Sequence, residues 1–561
     1  MARFIEPDSF SRHLYKVAPF LFSNKKQPFK ARKIGLFVSG GADSMALAYL
    51  LNEVKHPQLP DLRLFAAKAF TVDHGARAES GAEAIQVQKN LQSLGIDSEL
   101  LKLTWAPGEL ESLLKGGFEE AARRRRYQAV ARAAKTQQIH ELFAGHHLDD
   151  QMETLLLRLV RNHNPNLLGF QGMASISAMP CTETTFGVRN RSVPESSMLR
   201  NPECGDAGLS RDILIGEKQP NEGQHLIRPL LPFPKHTILR TCSRFSIPYV
   251  DDRTNIDPTF TTRNAVRYLR TNHSLPRALT AEGLAVLQRN ANTKVKDSKD
   301  RSQHVLNQVV KLRLHSHTGM IKITLKQFHH LRTPGELRGF SYAMARLLEL
   351  ASPAPSDTWP ILLDKDHTME LTQYLFQAPG SFSGRQMRTA ITVKGAILRL
   401  IDDDATNETV TFMIRREPFR RSEMAANTRI FQLKPKSKDA GGDHYWFLWD
   451  HRFWIGVRSM QQNFVENFVV RPYQPEDVPN VKDRLGTSPN ADKFKQQMDY
   501  SAPGDIRFTM PVLTYCGKVV AFPTMAYQFV PTSMLSIRCR FARSRRTATF
   551  LNENIFKSTS V

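Results

Sequence analysis

Lys33-Ile34-Gly35-Leu36-Phe37-Val38-Ser39-Gly40-Gly41-Ala42-Asp43-Ser44 decides how the N-terminal half of this chain folds. Residues 33–38 are a short apolar run, which reads as a buried strand. A Ser-Gly-Gly turn follows, and Met45, Leu47, Leu50 and Leu51 continue as a helix. Glycines let a backbone turn sharply and come close to a ligand. Backbone N–H groups at a helix start, with the helix dipole behind them, make an anion site. Ser39, Gly40, Gly41, Ala42, Asp43 and Ser44 are therefore the candidate phosphate cradle, with two hydroxyls as further donors. Asp43 repels phosphate unless a cation lies between them, so it implies Mg²⁺. The Gly-Lys-Ser/Thr ending of a Walker A loop is missing. A plain turn with an N-cap is the alternative. The strand before, the helix after and the Asp-Ser pair favour the nucleotide.

Strands and helices alternate outward from this loop. A second strand fits Leu62 to Val72, and Ile85, Val87, Leu91 and Leu94 follow at near-helical spacing. A third strand fits Ser98 to Leu103, and a helix fits Glu119 to Lys135. Leu142 to Gly145 reads as a fourth strand, with a helix from about Asp149 to Val160. This alternation predicts an α/β fold, a Rossmann-like parallel sheet covered on both faces. Ligands of such sheets sit outside the carboxyl ends of the strands.

The expected organisation is a basic lead-in over 1–32, a nucleotide-binding domain over 33–276, a linker over 277–303 and a C-terminal region over 304–561. Residues 174–224 are rich in Ser, Thr, Asn, Pro, Gly and Glu, and read as a largely disordered insertion. The C-terminal region mixes a helical pattern, Leu337 to Leu350, with strand-like runs at 396–400, 445–449, 453–457 and 511–522. The tail after Ser536 carries Arg538, Arg540, Arg543, Arg545 and Arg546, either an RNA-binding arm or a solvated end.

Lysine plus arginine outnumber aspartate plus glutamate by 77 to 54, a net charge of +23. That excess suits a polyanionic partner such as a tRNA backbone. Five scattered cysteines without a CxxC pair argue against a zinc ribbon, an iron–sulfur cluster and a disulfide framework. No apolar run long enough to span a membrane occurs. Residues 1–33 carry eight Lys and Arg against Glu6 and Asp8. That is compatible with a mitochondrial presequence and equally with a lead-in that packs on the first strand.

Further motifs lie at the predicted strand ends. Val72-Asp73-His74-Gly75 closes the second strand. Glu119, Ala122, Arg123, Arg126 and Tyr127 fall on one helix; Arg123 and Arg126 share a face and can grip a phosphate or a tRNA backbone, the alternative being a solvated basic face within Arg123–Arg126. His146-His147-Leu148-Asp149-Asp150-Gln151-Met152-Glu153-Thr154 opens another helix, where the dipole favours carboxylates. Asp150 and Glu153 share a face and can hold an ammonium by charge-assisted hydrogen bonds. Histidine at 146 or 147 can shuttle a proton at neutral pH. Arg228-Pro229-Leu230-Leu231 is followed by Asp252, Asn255, Arg263, Asn264 and Arg267. Arg228 could face the site, and Arg263 and Arg267 make a plausible phosphate-gripping pair.

Ser39–Ser44 resembles the SGGxDS loop of the N-type ATP pyrophosphatases, the PP-loop superfamily. The later segments resemble, in family order, the motifs of the tRNA(Ile)-lysidine synthetases. These are [VH]-x-H-G, E-x-x-A-R-x-x-R-Y, H-x-x-D-D-Q-x-E-T, R-P-L-L, D-x-x-N and R-N-x-x-R. The resemblance covers about residues 33–272 and implies a eukaryotic, fungal-type member with an adenine nucleotide alpha hydrolase-like fold. It implies ATP and Mg²⁺ as cofactors, with ATP on residues 39–44 and His74. Asp43, His146, Asp150 and Glu153 would be catalytic, with Asp150 and Glu153 binding substrate L-lysine. Arg123, Arg126, Arg228, Arg263 and Arg267 would bind tRNA or phosphate. The implied partner is tRNA(Ile) with a CAU anticodon, and the implied compartment is the mitochondrion, with the cytoplasm as alternative. Rival readings are a tRNA thiolase of the same superfamily and a nucleotide- or tRNA-binding protein without catalysis.

Two departures stand out. Arg161-Asn162-His163-Asn164-Pro165-Asn166 replaces the family's Gly-Ser-Gly turn, and the 174–224 insertion is absent from compact members. In the C-terminal half, Val470 to Asp477 and Met510 to Leu513 resemble the family's R-x-x-G-D and L-P-V-like strands only weakly, with Pro475 at the glycine position.

Overall fold

The computed structural model describes residues 4–22, 31–56, 59–75, 80–114, 116–161, 167–185, 188, 223–250, 261–326, 333–355, 363, 365–376, 390–404, 409–433, 444–460, 467–486 and 491–542. The chain forms two compact units, Met1–Ser192 with Pro220–Lys294, and Val193–Gln219 with Val295–Val561.

The first unit is built on a six-stranded sheet. Its strands run in the spatial order Asp97–Lys102, Phe65–Asp73, Arg32–Phe37, Glu141–Ala144, His225–Ile227 and Ile176–Ala178. The first five are parallel and the last is antiparallel. Chain order therefore runs outward in one direction up to Asp97–Lys102, then reverses past the first strand. The reversal lies between Arg32–Phe37 and Glu141–Ala144, where a doubly wound sheet opens a crevice. The Ser-Gly-Gly loop and the His146–Asp150 segment are the two chain segments that leave the sheet there.

Ile34, Leu36, Met45, Leu47, Leu50 and Leu51 form the core behind the loop. The basic lead-in joins the same core: Ile5, Phe10, Leu14 and Leu21 are buried in it, on a helix at Pro7–Val17 and the turn beyond. The Ile5 N–H donates to Thr241 Oγ1 at 2.9 Å.

Two segments depart from the sequence reading. The start of the expected disordered insertion is ordered. Ile176–Ala178 completes the sheet, and Met179 and Val188 are buried. Three residues are too few to show a strand period. Residues 189–222 lie outside the described residues. The boundary between the two units falls inside the expected 277–303 linker, which is mostly helix, Ala281–Asn307, rather than irregular chain. Its polar composition hid an apolar-and-small stripe: Leu284, Ala291, Ser298, Ser302 and Val305 are all buried at helical spacing.

In the second unit a five-stranded antiparallel sheet packs one face on the helix Pro334–Ala351, burying Ile321, Ile323, Phe340, Leu347, Leu398 and Phe412. A second five-stranded sheet and a three-stranded sheet carry the aromatic core of Phe447, Trp449, Phe453 and Phe468. Arg538 and Arg540 lie in the strand Leu535–Phe541, not in a free tail; residues 543–561 fall outside the described residues. Arg471 donates to both oxygens of Asp477 at 2.7 Å, so this weak motif match holds a turn together. Among the described residues no helix is long and apolar enough to cross a membrane.

Arg452 and Arg416 are fully buried in this unit. Asp450 accepts from Arg452 Nε at 2.6 Å and from Arg416 at 3.3 Å. Arg452 also donates to the Thr318 and Thr509 carbonyls at 2.7 and 2.8 Å. Removing the one charge that two buried guanidiniums share costs about 3–5 kcal/mol. Asp450→Asn keeps the side-chain shape and should lower the unfolding free energy of this unit, read from urea titration, by that amount; an unchanged value would show that the pair is not holding the fold.

Candidate functional site

Gly40 has φ +90, and a Cβ on it would lie 2.3 Å from Val87 Cγ2, so only glycine fits. Gly41 then caps the helix Ala42–Asn52. The first N–H groups of that helix face the crevice side of the sheet, as an anion cradle needs. The Ser39 and Ser44 hydroxyls lie 3.4 Å apart, and Ser44 donates to the Gly41 carbonyl at 3.0 Å. His74 follows the neighbouring strand at the same edge, where its carbonyl accepts from Trp105 Nε1 at 2.8 Å.

The second segment meets this loop directly. A Cβ on Gly145 would sit 2.8 Å from the Asp43 carbonyl carbon and oxygen and 3.0 Å from Ser44 N. Residue 145 has to be glycine for the two loops to touch. His147 Nε2 lies 3.6 Å from Asp43 Oδ1 and 3.5 Å from Asp150 Oδ2. Its Nδ1 accepts from the Asp149 N–H at 3.2 Å, which leaves the Nε2 side for the carboxylates.

Behind His147 the carboxylates are already partnered. Lys235 Nζ lies 2.7 Å from both oxygens of Asp43, and the Lys235 backbone N–H donates to Asp149 Oδ2 at 2.8 Å. Arg270 donates to Asp149 Oδ1 at 3.0 Å. Glu153 is only 1% exposed and takes a bidentate pair from Arg267 at 2.9 and 3.0 Å. Asp150 has looser company: the His147 N–H at 3.1 Å and Arg267 at 3.9 Å.

Burial works to raise the Asp43 pKa, but the His147 ring and the Lys235 charge outweigh it and hold the carboxyl below its ordinary value. For His147 burial opposes the charge, yet Asp43 and Asp150 raise its pKa above the ordinary value. His146 behaves in the opposite way. Burial comes first, then the charges of Arg228, Arg123, Arg126 and Arg263, and its pKa falls to about 3. His146 Nδ1 and Arg228 Nε are buried without a hydrogen-bond partner. Arg228 NH1 is fixed on the Ala174 carbonyl at 2.9 Å and Ser177 Oγ at 3.0 Å. Arg123 and Arg126 lie over the Tyr127 ring at 5.2 and 5.6 Å. Four guanidiniums thus converge on one neutral imidazole, an arrangement that favours an anion between them.

A model of the PP-loop domain matches residues 14–186 and 198–273. A probable tRNA(Ile)-lysidine synthase of Schizosaccharomyces pombe is 28% identical over 505 residues, 89% of this chain and 92% of that protein. A tRNA(Ile)-lysidine synthase of Bradyrhizobium sp. is 34% identical over 226 residues, 40% of this chain and 48% of that protein. One from Novosphingobium aromaticivorans is 39% identical over 151 residues, 26% of this chain and 40% of that protein. The chain thus carries a match to the PP-loop domain and is similar over most of its length to the fungal tRNA(Ile)-lysidine synthase. The matched part spans less than half the length of these two bacterial relatives and nearly all of the fungal one.

Of the residues that the family motifs single out, the structure gathers Ser39 to Ser44, His146, Asp150, Glu153, Arg123, Arg126, Arg228 and Arg263 around the strand reversal. Arg267 faces the carboxylates instead: its Nε and Nη2 donate to the two oxygens of Glu153. Asp252, Asn255 and residues 162–166 lie outside the described residues. Motif reading named His147 and Asp149 but missed their basic neighbours Lys235 and Arg270. Lys235 and Asp43 are 192 positions apart, so no local spacing announces the pair. Among the described residues no three His, Cys, Asp or Glu side chains are arranged to hold a metal ion.

Two outcomes follow. Gly145→Ala should push the Asp43 backbone outward and weaken ATP binding at least tenfold, at about 1–3 kcal/mol of stability; a titration with a fluorescent ATP analogue checks it, and unchanged affinity would refute the contact. The raised His147 pKa predicts stability that is fully present below pH 6.5 and lost as pH rises through the folded value, because the folded state keeps a proton that the unfolded chain gives up. Unfolding midpoints at pH 6 and pH 8 should differ less in His147→Gln than in the parent.

Proposed function

We propose that this protein adenylates the wobble cytidine of a CAU-anticodon isoleucine tRNA with ATP and then joins lysine to C2, releasing AMP. The observation that carries this reading is the direct contact of the PP-loop with the His146–Glu153 segment through Gly145. That contact supports the reading because it brings residues 39–44 beside the segment that carries His146, Asp150 and Glu153.

The chain's residues divide the work. The loop N–H groups and the Ser39 and Ser44 hydroxyls bind the phosphates. Asp43 with those hydroxyls is an all-oxygen donor set that would hold Mg²⁺, which would supply charge neutralisation there. Arg123, Arg126, Arg228 and Arg263 hold the tRNA phosphates beside the reacting base. In adenylation the cytidine O2 attacks the α-phosphorus and pyrophosphate departs; positioning and electrostatics dominate such a step.

Asp150 receives the lysine ammonium, because it is the carboxylate without a close bidentate partner. Glu153 positions Arg267 behind it. The amine loses a proton before it attacks C2 and expels AMP. The Asp150 carboxylate, on which the ammonium rests, accepts that proton, with His147 Nε2 3.5 Å from it. His146, held to about 3, stays neutral and serves as a hydrogen-bonding group beside the arginines.

A thiolase would need a reactive thiolate. Cys242 is the cysteine packed on the loop, with Sγ 3.6 Å from the Ala42 carbonyl. Burial, then the Asp43 charge, pushes its thiol up to about 11, the reverse of activation. The proposed compartment is the mitochondrion, where bacterial-type decoding of AUA uses the product.

The test is labelled-lysine incorporation and AMP release with the CAU-anticodon tRNA. Asp43→Ala should lower adenylation by about 10²–10³. Asp150→Asn should leave adenylation within a few-fold and lower lysine transfer by a similar factor. A wild-type protein that hydrolyses or binds ATP but incorporates no lysine would overturn the reading.

A further inference from the structure

The family motifs that guided the sequence reading give Lys235 no part, yet both of its ends are fixed on motif residues. It opens the helix Lys235–Arg244, directly after Pro234. Its backbone N–H donates to Asp149 Oδ2 at 2.8 Å, and its ammonium bridges both oxygens of Asp43 at 2.7 Å. Asp149 is clamped in turn by Arg270. The Lys235 side chain is 39% exposed, so one side of the ammonium stays open to solvent. Ion pairs that open contribute little stability, ~0–1 kcal/mol. Stability does not account for the contact; the place where it sits does.

Asp43 carries its charge at the rim of the phosphate cradle. A bare carboxylate there opposes an incoming polyphosphate. An ammonium on a flexible four-carbon stem relieves that opposition and can change partners without moving its backbone. The backbone is the anchored part here, held by Asp149.

We propose that Lys235 is a catalytic residue: the mobile cation of the loop, paired with Asp43 in this structure and moving onto the β- and γ-phosphate oxygens of bound ATP. The inference rests on the ATP-cleaving reading above. In the adenylation step the bond from cytidine O2 to the α-phosphorus forms. The bond from the α-phosphorus to the bridging oxygen breaks, and its electron pair leaves with pyrophosphate. Lys235 keeps its proton throughout. Its N–H groups meet the negative charge that grows on the departing oxygen, so its effect is larger in the transition state than in the bound substrate.

The test uses the full chain and two measurements. Calorimetric titration with pyrophosphate and, separately, with AMP needs no tRNA. Single-turnover adenylation with tRNA and ATP reads the chemistry. Lys235→Gln should weaken pyrophosphate binding at least tenfold and leave AMP binding within about twofold. It should lower the adenylation rate constant by about 10²–10³ and change KM for ATP far less. Lys235→Arg keeps the charge and should recover part of both losses. Lys235→Met keeps the aliphatic stem and replaces the Gln variant if that one melts early. Parental pyrophosphate binding in the neutral variants would overturn the proposal. So would an equal loss of pyrophosphate and AMP binding, which would mark Lys235 as a support for Asp43 alone. A wild type that binds pyrophosphate but does not adenylate tRNA would sink the proposed function and leave the binding comparison to decide Lys235.

Discussion

The approach of Gly145 to the Asp43 backbone is the constraint on which the site depends. It follows from strand register. Gly35 pairs with Leu142, Leu36 with Phe143 and Phe37 with Ala144, so the two strands end level and the next residues leave the sheet side by side. One chain turns into the phosphate cradle and the other into the helix Leu148–Arg161. At 2.8 Å a hypothetical Cβ leaves no room for any side chain at position 145. The crevice that a strand reversal opens in any such sheet is here narrow enough for one ligand to touch both loops.

That meeting sorts charge into two zones. On one side Asp43, Asp149, Asp150 and Glu153 are interleaved with Lys235, Arg267, Arg270 and His147. On the other, Arg123, Arg126, Arg228 and Arg263 surround His146. Two histidines adjacent in sequence therefore titrate in opposite directions. Burial disfavours the charged form of both, and the neighbouring charges decide the outcome. The carboxylates raise the His147 pKa, while the arginines join burial in lowering that of His146 to about 3.

The sequence made the strand–loop–helix unit legible because its signals are local: an apolar run, a glycine turn and a helical period. The acidic opening of Leu148–Arg161 was legible for the same reason. The partners of those acids were not. Arg267 reaches Glu153 across 114 positions and Lys235 reaches Asp43 across 192. Only the fold brings such residues together, and an arginine pair on one helix face reads the same whether it meets phosphate or carboxylate. Composition misled where period was faint: the polar linker hid the helix Ala281–Asn307, and Leu535–Phe541 is basic enough to pass for a tail.

The pre-existing ion pairs also bear on selectivity. A lysine entering the acidic zone does not find bare carboxylates; it finds Glu153 saturated by a bidentate guanidinium in a buried position. Displacing that pair would strand a charge in the interior, a penalty of several kcal/mol. Asp150 asks for no such displacement, since its nearest cation besides His147 is 3.9 Å away. A neutral isostere of lysine gains nothing from a carboxylate already balanced in part by His147 and Arg267. An ammonium adds a short charge-assisted bond that those partners leave unmade. On the proposed function, the arginine anchors thus tune a single acidic contact to a cation that can lose its proton, and that combination separates lysine from arginine as the nucleophile.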